Sequence, residues 1–462
     1  MSRKIPYVFI FLFLAALTAK GMSSSHFTIR NISVAGNFKT QDRIVLIASN
    51  LSIGERILKS EMQARIISAQ NNIQNTDLFN SVTVSNIPLN DSITELIITV
   101  TERWFIWPLP IFENADPNFN TWWERKDFTR LNYGMVVMHQ NFRGRGEELG
   151  VLLQLGYSKR FGLLYNAPYA SPKGKSGVSI YAGYDQQHEV TVGTLNNKRV
   201  FFTGNDGRTK EQLQLQLSFL QRHNFVTTQK FTTTYNLLKI RPEVAEMNPN
   251  FIGDSATHTS FLTFTYQFKK DKRDYKHYPL TGHYLDLLLS QNGIGINKSI
   301  FLTTIESAAR KFMRIHKRFY GAIGIAGKTT VQANIPYFLQ RGLGYEHQIR
   351  GYEYYVLDGN HYGIGKSNIK AELIPKKTHV MSKIKNQRFN KLYFALYANL
   401  FADVGYVINN FSGSVNSYCN QWLYSCGAGL DFLTYYDTVI RLEFSFNKQK
   451  ESGFFLHFTQ PI

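Results

Sequence analysis

Cysteine is almost missing from this chain: two residues in 462, Cys419 and Cys426. At most one disulfide is available. In an oxidising compartment the two, seven positions apart, can pair and tie one loop. The other reading is two separate small residues, because Cys426 falls at the expected start of a strand. Long apolar runs are also missing after the N-terminus, where no stretch reaches the ~20 residues that a membrane-spanning helix needs. Acidic residues are in deficit, 33 against 52 basic ones, for a formal charge of +19. Catalytic constellations are lacking. Gly174-Lys175-Ser176 and Gly365-Lys366-Ser367 end like a phosphate-binding loop, but Tyr169 and Asn360 stand where its first glycine belongs. His188-Glu189 is no helical zinc pair, and the nucleophile elbow of a hydrolase does not occur. The twelve histidines are scattered singly. These absences argue against an enzyme and imply no cofactor and no metal.

A basic balance first suggests nucleic acid or an anionic membrane surface. The charges are spread through turns and alternating segments rather than gathered on one helix, which favours a surface or a positively charged interior and argues against a nucleic-acid partner. Aromatics are plentiful, with 35 Phe, 26 Tyr and 5 Trp. They suit strands and membrane interfaces, where Trp104, Trp107, Trp122 and Trp123 are expected. The N-terminus reads as a cleaved signal peptide over 1–24: Arg3 and Lys4, an apolar run from Ile5 to Leu17, then small or polar residues. A secreted chain without spanning helices is soluble or a closed barrel, since only the barrel otherwise satisfies backbone groups in lipid.

Residues 25–102 read as a small α+β unit of β-α-α-β-β order. Phe27 to Val34 alternates as a strand. Thr40 suits a helix N-cap ahead of Ile44, Leu46 and Ile47, and Gly54 breaks that helix. A second helix is expected from about Ser60 to Asn72, then strands at Val82–Val84 and Thr94–Val100.

From 103 to 462 the helical period gives way to period-two alternation. Leu213, Leu215, Leu217 and Phe219 alternate with Gln212, Gln214, Gln216 and Ser218; Leu442, Phe444 and Phe446 alternate with Arg441, Glu443 and Ser445. In the segment 391–407 the same period places Phe401 and Asp403 on the inward face. One apolar face and one polar or glycine face, repeated in an unbroken series, is the pattern of a transmembrane β-barrel. Sixteen antiparallel strands are expected, of which the sixth, 196–220, is too long for one strand and includes loop. If the small unit is periplasmic, connections after odd strands face outside. The long ones (113–130, 187–200, 240–256, 332–360 and 408–424) all follow odd strands, and the lysine-rich stretch 375–390 stands out as a long inner turn. Long outer loops and short inner turns are the rule for such barrels.

Ile349-Arg350-Gly351-Tyr352, within 332–360, resembles the V/I-R-G-F/Y motif of the BamA/TamA outer-membrane assembly-factor superfamily. In that family the loop folds back into the lumen and its arginine meets an aromatic-x-Asp motif on the thirteenth strand. Here Phe401-Ala402-Asp403 matches that motif. Asn141-Phe142-Arg143-Gly144 and Asp271-Lys272-Arg273, followed by Pro279 and Gly282, resemble two of the family's turns. Val34-x-Gly36-Asn37 and Leu78-Phe79-Asn80 resemble the core of a POTRA domain. The chain departs from the family in having room for one such domain, and in ending Gln460-Pro461-Ile462 after a last aromatic at Phe458.

The resemblance implies a barrel in the outer membrane with a periplasmic POTRA domain that assists protein insertion or translocation. Its partners would be outer-membrane lipids, unfolded outer-membrane or secreted clients, and other assembly-machinery subunits. Two other classes fit a barrel: a passive channel or porin, and a surface-structural protein whose outer loops bind partners. A plugging inner loop argues against a wide pore, and a porin has no use for a POTRA domain.

Overall fold

The computed structural model describes residues 26–114, 131–204, 207–294, 300–332, 335–384, 391–409, 416–434 and 438–458. The signal-peptide region, Trp122 and Trp123 lie outside them. No described helix is long and apolar enough to cross a membrane.

The N-terminal α+β domain comprises β1 (His26–Ala35), α1 (Asp42–Ser49), β2 (Arg56–Leu58), α2 (Met62–Gln74), β3 (Phe79–Pro88) and β4 (Ile93–Glu102). Its sheet runs β2-β1-β4-β3, with β1 parallel to β4 and the other pairs antiparallel. A parallel pair needs a crossover, and the two helices supply it on one face. Ile44, Val45 and Ala48 of α1 and Ile66, Ala69 and Ile73 of α2 form one core with Ile29, Leu96 and Ile98. The short β2 between the helices adds an edge that the sequence pattern did not reveal. Thr40 does not cap α1. Gln41 holds the cap position without a side-chain bond. The Thr40 hydroxyl instead donates to Glu102 Oε1 at 2.8 Å. A buried carboxylate at the end of β4 outcompetes the helix terminus for that hydroxyl, because it is the stronger acceptor.

The second sheet has sixteen strands in sequential antiparallel order. It opens with β5 (Ile106–Asn114), β6 (Leu131–Phe142), β7 (Glu147–Gly156), β8 (Lys159–Ala167) and β9 (Ser176–Gln187). A separate two-stranded ribbon, β10 (Glu189–Leu195) and β11 (Lys198–Thr203), follows in the next loop. The large sheet resumes with β12 (Lys210–Asn224) and β13 (Thr227–Ile240). After the one-turn helix α3 (Pro242–Met247) come β14 (His258–Asp271), β15 (Gly282–Asn292), β16 (Leu302–His316) and β17 (Phe319–Val331). The last five are β18 (His361–Val380), β19 (Lys391–Ile408), β20 (Leu423–Leu433), β21 (Val439–Asn447) and β22 (Ser452–Phe458).

Burial along these strands is inverted relative to a soluble sandwich. On β21, Arg441, Glu443, Ser445 and Asn447 are buried while Leu442 and Phe446 are exposed. A water-soluble protein would bury the opposite face; a barrel in lipid turns its apolar face out.

Two further sequence expectations need correction. The segment 196–220 divides into β11, which belongs to the outer ribbon, and β12; ahead of β12, Gly204 N–H donates to the Thr209 hydroxyl at 2.9 Å. The stretch 375–390 is in part strand: β18 runs on to Val380, with Lys377 opposite Phe394 and His379 opposite Leu392. A ribbon that protrudes beyond the apolar band has no face to bury, so its lysines carry no alternation and read as loop.

The α+β domain docks on the end of the barrel that carries the short turns. Gln41 N–H donates to Gly144 O at 2.9 Å, and Arg43 reaches the Ser171 and Tyr169 carbonyls at 2.8 and 3.0 Å. Gly144 has φ +71°, and a Cβ there would lie 2.0 Å from the Lys39 carbonyl oxygen. Only glycine permits that approach. On the turn 272–281, Lys276 and His277 pair with Asp77, the histidine at 2.8 Å.

Candidate functional site

The connection from β17 to β18 enters the barrel. Ile349, Tyr352, Leu343 and Leu357 are buried with Tyr362, Ile364, Val407 and Leu423 of the inner wall. Gly351 takes φ +84°, which turns the loop tip against Ser445, and Asn447 Nδ2 donates to its carbonyl at 2.9 Å. Tyr352 Oη donates to Gln449 Oε1 at 2.6 Å.

Arg350 grips β19 in a two-pronged contact. Nη2 lies 2.5 Å from Asp403 Oδ1, Nε 2.9 Å from Oδ2, and the Arg350 backbone N–H 3.1 Å from Oδ2. The guanidinium carbon sits 4.0 Å from the centre of the Phe401 ring. A charge-assisted fork and a desolvated cation–π contact therefore act on one side chain. Asp403 needs the inward face of β19, and Phe401 two residues earlier shares that face because strand side chains repeat every two residues.

The sequence reading did not find the groups around this pair. Glu443 on β21 lies 3.4 Å from Arg350 and 3.6 Å from Arg441. Arg441 forks onto Asp431 of β20 at 2.6 and 3.1 Å. His457 of β22, the last strand, stands 3.6 Å from Glu443. Asp431 also receives Asn399 Nδ2 at 2.9 Å and Tyr278 Oη at 2.7 Å. Tyr278 belongs to the turn 272–281, and its ring lies under Lys370 Nζ at 4.2 Å. Lys370 is wholly buried and its ammonium has no hydrogen-bond partner among the described residues. Arg441, Glu443 and Asn399 stood on the polar face in the sequence alternation, whereas Tyr278 lies on a turn that carries no such period. Nothing local says which inward polar groups meet across a lumen.

One chain of contacts thus runs from the docked domain to the loop: Asp77 to His277, Tyr278 to Asp431, Arg441 to Glu443, and Arg350 to Asp403. The array joins the inner loop to the barrel wall, and breaking any of its buried pairs would strand an uncompensated charge.

Cys419 and Cys426 are not joined; both are free thiols. Cys426 lies on the outward face of β20 between Ala402 and Phe446 and is exposed. Cys419 is buried under the inner loop, its Sγ 3.4 Å from the Asp358 carbonyl. The barrel wall separates them, and a side chain's face outweighs seven-residue spacing. Gly365-Lys366-Ser367 lies within β18, with no turn or helix to cradle a phosphate. Trp104 and Trp107 flank the start of β5.

No curated protein matches this chain. Among solved structures it is similar to BamA from Haemophilus ducreyi lacking POTRA domains 1–3, at 13% identity and a TM-score of 0.50, over 91% of this chain and 81% of that one. It is also similar to CdiB from Escherichia coli, at 12% identity and a TM-score of 0.55, over 93% of this chain and 75% of that one. At those identities the likeness concerns the fold. Residues 141–459, more than half of the sequence, match the Omp85 superfamily domain, and the chain belongs to the Omp85 superfamily.

Proposed function

We propose that this chain is an outer-membrane assembly or translocation factor whose α+β domain is a periplasmic POTRA domain that receives unfolded clients. The observation that carries the reading is that domain, docked on the short-turn end with the ten-residue β3 as the edge of its sheet. An edge strand is a template for an extended client by β-augmentation. The client would then enter the bilayer beside the junction of β5 and β22, the two end strands of the large sheet, between which no strand pairing occurs among the described residues. The driving force is burial of the client's apolar face in lipid, about 25 cal/mol per Å², so no nucleotide is required. The Omp85 fold and the likeness to BamA and CdiB support a protein client. The loop that enters the lumen and is anchored there weighs against a wide passive channel.

The test is reconstitution. Liposomes containing the chain are mixed with a urea-unfolded eight-stranded barrel, and folding is followed by heat-modifiable gel mobility. A photo-crosslinking residue at Thr83 or Ser85, both exposed on β3, is expected to trap that client. Insertion no faster than into empty liposomes, together with steady ion conductance, would favour the channel reading.

A further inference from the structure

The outward wall of the barrel carries a pattern that client handling leaves unused. Directly opposed residues in antiparallel strands share a face. In one row across the sheet, Lys270 opposes Leu285, which opposes Ala309, followed by Ile325 and Gly365. In the neighbouring row of the same face, His283 opposes Lys311, followed by Ile323 and Ser367, while Lys272 N–H donates to the His283 carbonyl at 2.9 Å. Both rows face away from the lumen: Ile323 is 55% exposed and Ile325 67%.

The rows change character along their length. Lys270, Lys272 and Lys311 form a cationic end around His283, and neither row contains a carboxylate. Beyond them, Ala309, Gly365 and Ser367 floor an open groove of about 670 Å³ walled by Leu285, Ile323 and Ile325. Strands in such barrels are tilted, so a row perpendicular to them climbs the wall. Lys272 adjoins a short turn and Lys311 lies near the end of β16, whereas Ser367 lies far from the Val380 end of β18. The basic end is therefore at headgroup level and the groove rises from it into the hydrocarbon. Lysines are tolerated there because their stems lie on apolar surface while the ammonium reaches the interface.

We infer that this groove binds one anionic phospholipid, its phosphate held by Lys270, Lys272 and Lys311 and an acyl chain lying over Ala309 and Gly365. Charge complementarity selects the headgroup, and the small floor residues leave the volume that the chain fills. The inference rests on the proposed placement of the short-turn end at the phospholipid leaflet facing the periplasm.

The experiment uses the full chain in detergent micelles, titrated with dioleoylphosphatidylglycerol or dioleoylphosphatidylethanolamine, with retained lipid counted by native mass spectrometry. Phosphatidylglycerol is expected to be retained preferentially. Combined Lys270→Gln, Lys272→Gln and Lys311→Gln substitutions lose the preference, by about fivefold per lysine. The same charge change at the long-loop end, Lys159→Gln with Lys198→Gln and Lys239→Gln, keeps it. Ala309→Phe fills the groove and weakens both lipids without changing their ratio. Heat-modifiable mobility checks that every variant is folded. Equal retention of the two lipids by the unaltered chain, or equal loss of preference in the long-loop variant, overturns the site. Displacement of the lipid by millimolar inorganic phosphate would assign the lysines to a free anion and overturn it too. The binding assay contains no client and the insertion assay is scored separately, so failure of one is distinguishable from failure of the other.

Discussion

Arg350 and Asp403, 53 residues apart in the chain, meet inside the barrel through three hydrogen bonds of 2.5–3.1 Å, and neither side chain reaches solvent appreciably. The contact ties the loop between β17 and β18 to the wall at β19, and Glu443 continues it to β21.

Arg350→Ala leaves Asp403 buried without its partner. The expected cost is roughly 3–5 kcal/mol, read as a lower temperature for the heat-modifiable gel shift. Arg350→Lys should fall between, since an ammonium cannot fork onto the carboxylate or stack on Phe401 as a guanidinium does. Adding Asp403→Ala to Arg350→Ala should recover part of the loss, because the stranded charge is gone. An unchanged shift temperature in Arg350→Ala would refute the lock.

Tyr278→Phe removes one hydrogen bond to the Asp431 carboxylate and leaves the ring beneath Lys370. A bond to a charged acceptor is worth about 1.5–3 kcal/mol, and the urea midpoint should fall accordingly. If the turn 272–281 transmits force between the docked domain and the lumen, Tyr278→Phe and Asp77→Asn should be non-additive by more than about 0.5 kcal/mol. Strict additivity would show two independent contacts.

Burial drives the Asp77 carboxyl up, but His277 and Lys276 more than offset it, and the net direction is below the ordinary value of 3.8. A group lowered on docking contributes stability that is fully present above its undocked value and lost as pH falls through the docked one. Hydrogen exchange in residues 272–281 should therefore be slow above about pH 5 and accelerate in acid below the ordinary carboxylate range. Asp77→Asn should flatten that dependence; an unchanged profile would assign the acid response elsewhere.

The two thiols should behave differently in the folded chain. Cys426 faces the lipid side and should react with a membrane-soluble maleimide, whereas Cys419, under the inner loop, should react only after unfolding. Mild oxidation should leave both reducible to single labels. An intramolecular crosslink in the folded barrel would contradict the geometry.

The barrel was legible because lipid imposes a strict rule. Every wall residue faces hydrocarbon or lumen, so period-two alternation survives through strands such as β12, β19 and β21. It failed at the far end of β18, where the last six residues are all exposed. The ribbon β10–β11 keeps the alternation, with Val190 and Val192 buried against Leu238 and Ile240, so periodicity alone could not tell it from the wall. Thr40 was misread because its hydroxyl is claimed by a carboxylate 62 residues away. Phe401 and Asp403 could be put on the inward face by counting. Arg441, Glu443 and Asp431 could be put there as well, yet counting along one strand cannot register a contact across the lumen.

The sequence by itself determined which residues face in and out, how many strands the wall has, and at which end the long loops gather, because these follow from local periodicity and chain order. The tertiary structure decided the rest. Closing the wall brought β14's turn under β20, set two arginines among three carboxylates, and put Cys419 and Cys426 on opposite sides of the wall, since only curvature sets the distance between strands far apart in the chain.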